Sequence, residues 1–86
     1  MATLDPLKYA QEYKERCKKM SDEQLIDAFN QQVGVNAWGT ARSLYLAAIH
    51  NEFIERGYNY SDIGSKGGLS FAGKIKLESG KISIIA

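Results

Sequence analysis

The chain has one cysteine, one histidine, one proline and one tryptophan, and its longest apolar-rich stretch, residues 44–49, is far too short to span a bilayer. Each scarcity removes a class of function. Cys17 has no second cysteine to bridge to, whereas a secreted domain this small commonly carries several; a cytoplasmic location is expected. One histidine and one cysteine cannot close a structural zinc site without several carboxylates, so no metal is expected. The opening residues carry neither a basic stretch nor an apolar one, so no signal peptide and no membrane role are expected. An excess of charge of one sign is missing too: the formal net charge is +1.

What is present is an ordinary globular composition, 44% hydrophobic and 24% charged over 86 residues. That length predicts one domain, 1–86, with a thin stability margin, since a chain this short buries only ~60% of the surface it exposes when unfolded. The charge is unevenly spread. Residues 1–19 carry +2, residues 20–63 carry −4 and residues 64–86 carry +3. An acidic middle beside a basic tail either marks a partner surface or is complementary within the fold.

Hydrophobic spacing predicts an α+β fold: a three-helix body over about 5–57, a glycine-rich connection at about 64–68, and a C-terminal antiparallel β-hairpin at about 69–85. Asp5 and Pro6 suit the cap and first position of helix 1, whose apolar stripe is Tyr9, Ala10, Tyr13, Cys17 and Met20. Ser21 and Gln24 form a capping-box pattern opening helix 2, which buries Leu25, Ile26, Phe29 and Val33 and stops near Gly34. Helix 3 starts between Asn36 and Thr40, with one of these two as its cap, and ends at Gly57. Trp38, Leu44, Tyr45, Leu46, Ile49 and Phe53 make it apolar over most of its circumference, which predicts the central element of the core. Ser43 and His50 are its polar strip.

The period then changes from 3.6 to 2. Ile75, Leu77, Ile82 and Ile84 alternate with polar residues around Ser79-Gly80, which predicts a two-residue turn pairing Leu77 with Ile82 and Ile75 with Ile84. Leu69 and Phe71 continue the alternation upstream and are expected either to lengthen the first strand or to fold back as a third.

Few constellations carry chemistry. Gly68 to Lys74 matches part of a phosphate-binding loop, but Ile75 stands where a hydroxyl is needed and a strand, not a helix, is expected to follow. His50 has no nucleophile or orienting carboxylate assigned by sequence, Cys17 reads as a small core residue, and the carboxylates are scattered; no catalytic residue and no cofactor are expected. A helix-turn-helix reading of helices 2 and 3 fails on an apolar second helix carrying only Arg42 and Arg56 as bases.

Arg42 falls within the apolar arc of helix 3 and needs a partner or a route to solvent: an acidic ligand group, the Trp38 ring, a helix 2 carboxylate such as Asp27, or an outward-reaching side chain. Tyr58 and Tyr60 share one side of an extended segment. With Lys66, Lys74, Lys76 and Lys81 they form either an aromatic and cationic surface for single-stranded nucleic acid or a lid on the core. The sequence thus leads to a small non-enzymatic interaction module for a protein partner or a second copy of itself, using the apolar strand that contains Ile84. The alternative is a nucleic-acid-binding protein using the lysine-bearing hairpin and the two tyrosines.

Overall fold

The computed structural model describes residues 6–35 and 39–85. The element order is α1 (Pro6–Lys19), α2 (Asp22–Gln31), α3 (Thr40–Glu55), β1 (Gly64–Ser65), β2 (Gly68–Leu69), β3 (Ile75–Glu78) and β4 (Lys81–Ile84). The fold is α+β, with three helices followed by two separate two-stranded antiparallel sheets.

Local chemistry explains the helix limits. The capping box opening α2 is complete: Gln24 N–H donates to Ser21 Oγ at 3.1 Å, and Ser21 N–H donates to Gln24 Oε1 at 2.9 Å. Gly34 and Gly57 follow α2 and α3 with φ of 79° and 70°, the left-handed conformation that glycine tolerates best. At the start of α3, Thr40 is the first helical residue and Gly39 occupies the cap, with no side-chain bond closing it. The Asp5 cap, the Asn36 alternative and the Trp38 core position lie outside the described residues.

The core collects Cys17 from α1, Leu25, Ala28 and Phe29 from α2, Ala48, Ile49 and Phe53 from α3, and Ile63, Ile75 and Ile82 from the C-terminal part. Phe29 is the hinge of its aromatic stack, 4.2 Å from Phe71 and 6.0 Å from Phe53, centroid to centroid. Leu44, Tyr45 and Leu46 are only half-buried. α1 packs along α3, and α2 packs on β3.

The C-terminal hairpin has the register expected from its alternation: Ile75 opposite Ile84, Leu77 opposite Ile82, and Glu78 opposite Lys81. Ser79 and Gly80 have φ of 50° and 78°, two consecutive left-handed residues that match the right-handed twist of the strands. Two expectations are corrected. The first strand begins at Ile75, and Leu69 neither lengthens it nor joins it as a third strand. The glycine-rich connection is itself a small hairpin, in which Gly64 pairs with Leu69 and Ser65 with Gly68. A Cβ on Gly64 would collide with the Gly68 carbonyl oxygen and come within 2.9 Å of Leu69 Cα, so backbones approach there as only glycine allows.

Candidate functional site

The edges of the β3–β4 hairpin are the first place to look for a partner, because each strand of an isolated pair leaves one row of backbone groups unpaired. The turn makes Glu78 and Lys81 a hydrogen-bonded pair, and Ile85 N–H donates to Lys74 O at 2.9 Å farther along. By alternation, the N–H and C=O groups of Ile75, Leu77, Ile82 and Ile84 point outward.

The chain covers part of these rows itself. On the β3 side, the Asn30 amide imitates a neighbouring strand: Ile75 N–H donates to its Oδ1 at 2.8 Å, and its Nδ2 donates to Ile75 O at 3.0 Å. On the β4 side, Asn59 forms a one-residue parallel bridge. Its N–H donates to Gly80 O and its C=O accepts from Ile82 N–H, both at 2.8 Å. Coverage stops there. The outward groups of Ile84 meet no described partner, and Ile84 and Ile85 are 52% and 50% exposed. The apolar end of β4 is thus the uncovered part of that edge.

The other sequence-derived candidates are dispersed. Tyr58 and Tyr60 are half-buried against the core. Tyr58 tilts against Phe53 at 5.6 Å and donates its hydroxyl to Asp22, while Tyr60 meets His50 edge-on at 5.4 Å. Neither ring is set out as an open platform beside the lysines. Lys74, Lys76 and Lys81 lie on the exposed face of the hairpin; Lys76 pairs with Glu78 at 3.1 Å, and Lys81 approaches Asp62 to 4.0 Å. Lys66 is exposed at the tip of the small hairpin. Arg42 engages Gln32 at the end of α2 in place of the expected Asp27, with Nε donating to Oε1 and Nη2 to the backbone carbonyl, each at 3.2 Å.

Arg56, which its sequence context marks only as one of two basic residues in the helix 3 segment, organises a polar cluster at the end of α3. Its Nη2 donates to the carbonyls of Cys17 and Met20 at 3.0 and 2.6 Å, its Nε to Glu52 at 2.8 Å, and its Nη1 to Asp22 at 2.9 Å. Burial opposes the charge, but the bonds to Glu52, Tyr58 and Asp22 outweigh it and hold the guanidinium protonated. Glu52 is nearly fully buried, and its second oxygen, like His50 Nε2 and Asn51 Nδ2, has no hydrogen-bond partner among the described residues. Burial pushes the Cys17 thiol pKa up, with the Glu52 charge adding to the effect, which leaves the sulfur a poor nucleophile.

A groove of about 580 Å³ lies between α3, the turn after α2 and the small hairpin. Arg42, Leu46 and His50 line one side, with Leu69 and Phe71 opposite. Arg42 and Gln32 also border a shallower cleft of about 270 Å³ with Arg16, Tyr13 and Tyr45. Sequence periodicity identified the faces of α3 but gave no sign of this groove, because its far wall is the small hairpin hidden in the glycine-rich stretch. Asn30 did leave a signal: it lies four residues after Ile26 and three before Val33, on the buried side of α2, where a polar group needs a partner.

Among the described residues, no group of three or more histidine, cysteine or acidic side chains is placed to hold a metal, and no helix is long and apolar enough to cross a membrane. Comparison with protein families, with curated proteins and with solved structures finds no match.

Proposed function

We propose that this chain is a non-enzymatic interaction module that captures another protein, in the first instance a second copy of itself, through the C-terminal end of β4. The observation that carries this reading is the abrupt end of edge coverage. Asn59 occupies the β4 edge at Ile82, while the outward backbone groups of Ile84, two residues on, have no hydrogen-bond partner among the described residues and Ile84 is half exposed. Strand addition at such an edge supplies main-chain hydrogen bonds for affinity and side-chain contacts for selectivity. The lone buried cysteine fits a reducing compartment, and we place the module in the cytoplasm.

A second reading, nucleic-acid binding, draws on the shared exposed face of Lys74, Lys76 and Lys81. The ion pairs of two of these lysines and the inward packing of the tyrosines weigh against it.

Sedimentation of the wild type and of Ile84→Lys at tens of micromolar tests the proposal. The wild type is expected to sediment as a dimer with little dependence on salt, and the variant as a monomer. A monomeric wild type would sink self-association, and retention on single-stranded nucleic acid that falls steeply with salt would favour the second reading.

A further inference from the structure

We propose that the groove along α3 is a binding site for a flat, uncharged aromatic alcohol, with its rings stacked on Phe71 and its hydroxyl bonded to His50. Ser43 and His50, the polar strip of α3, both line the groove. They lie seven residues apart in the chain, close to two helical turns, so one stands above the other about 10 Å along the axis. Leu46 and Ala47 fill the interval, and Leu69 and Phe71 face them from the small hairpin and the segment that follows it. The volume of about 580 Å³ falls within the ordinary range of small-molecule sites. This site is separate from the end of β4, as Ile84 does not line the groove.

An aromatic stack ends at this groove. Phe53, Phe29 and Phe71 follow one another with successive ring planes 27° and 20° apart. Phe53 and Phe29 are fully buried, whereas Phe71 is half-buried and borders the hollow. A ligand ring laid on Phe71 continues the series in the offset geometry that aromatic pairs favour. His50 supplies the polar anchor. Its Nε2 is buried and has no hydrogen-bond partner among the described residues, a state that costs stability until a partner is supplied. Tyr60 meets the imidazole edge-on at 5.4 Å and leaves that nitrogen unbonded. Presenting the nitrogen to the groove takes a turn of the ring about its Cβ–Cγ bond, and side-chain movements of this kind are common on binding. A hydroxyl both donates and accepts, so it satisfies the nitrogen in either tautomer, which an ionised carboxylate cannot do. Arg42, the one charged side chain among the described residues lining the groove, is already held by Gln32, so an ionic head group has no dedicated partner.

The test is titration of the full chain with β-naphthol, naphthalene and β-naphthoate, followed by heteronuclear NMR. β-Naphthol is expected to bind saturably and to shift the resonances of Leu46, Leu69 and Phe71. His50 is the one histidine, so its ring nitrogens report the new hydrogen bond directly. Naphthalene, which keeps the rings and lacks the hydroxyl, is expected to bind about fivefold more weakly, and β-naphthoate no more tightly than naphthalene. His50→Leu should bring β-naphthol down to the affinity of naphthalene. Ala47 is exposed on the groove side of α3, so Ala47→Trp fills the groove without entering the core, and should abolish saturable binding. Naphthalene or β-naphthoate binding as tightly as β-naphthol, a preference for the hydroxyl that survives in His50→Leu, full affinity in Ala47→Trp, or no saturable binding by the wild type would each overturn the proposal.

Discussion

Arg56 shows how one side chain can hold three helix ends. The last carbonyls of a helix have no partner within it, and Arg56 supplies N–H donors to those of Cys17 and Met20 at the end of α1. The same guanidinium binds Asp22 at the start of α2 and Glu52 on α3. Arg56→Lys keeps the charge but loses the planar fork, and should cost roughly 2 kcal/mol in urea unfolding. Arg56→Ala should cost more, about 3 kcal/mol or above, because the buried Glu52 carboxylate is left without its counter-charge. The cluster also sets an acid limit. The Tyr58 hydroxyl, followed by Arg56, lowers the Asp22 pKa below the ordinary aspartate value. The unfolded carboxyl therefore takes up a proton at higher pH than the folded one. The resulting stabilisation is complete above the ordinary aspartate pKa and is lost as pH falls through the folded value. Unfolding midpoints followed down to about pH 3 should decline less steeply in Asp22→Asn than in the wild type.

At the level of elements, the Asn30 amide does for β3 what a neighbouring strand would do. Asn30→Ala strips partners from both backbone groups of Ile75 and should destabilise by about 2 kcal/mol. Asn30→Asp tests the geometry more sharply. It keeps an acceptor for Ile75 N–H but turns an oxygen towards Ile75 O, so at neutral pH it should be at least as damaging as alanine. In the turn, Ser79 holds a positive φ that asparagine adopts more readily, so Ser79→Asn should stabilise by roughly 0.5 kcal/mol, read as a rise in the urea midpoint. The hairpin register was legible because alternation, turn chemistry and cross-strand charge all agreed. The α2 capping box was legible because its two residues lie three apart in sequence. The small hairpin was not legible: its strands are two residues each, too short for a period to show, and glycine there reads as flexibility when its role is close backbone approach. The groove was hidden for the same reason, since it needs Leu69 and Phe71 placed against residues of α3 that are distant in the chain. The uncovered β4 end was half-legible, because the isoleucines at 82, 84 and 85 showed in sequence, while the position of Asn30 showed only that it needed a partner and nothing marked Asn59 as a cap.

Over the whole molecule, the Asn30 link joins residues 45 positions apart. The hairpin is local and can close in microseconds, as hairpins of this size do. Seating it against α2 must wait for the intervening chain to be gathered, and its bonds compensate that loss of freedom only at the end. The asparagine that replaces a missing strand should therefore act as a late latch. In a chevron, Asn30→Ala should leave the refolding limb almost unmoved and raise the unfolding limb by nearly the whole loss of stability. Equal displacement of both limbs would instead place the docked hairpin in the folding nucleus. A latch that closes last is also the first to open. The β3 edge at Ile75, capped by Asn30 in the native state, would then be bared by a local fluctuation that leaves the helices intact. Pulse-labelling of the Ile75 amide should show it exchanging before the α3 amides do. The transient species it reports would carry fresh strand edge beside Ile84, a route by which this small chain could template its own aggregation.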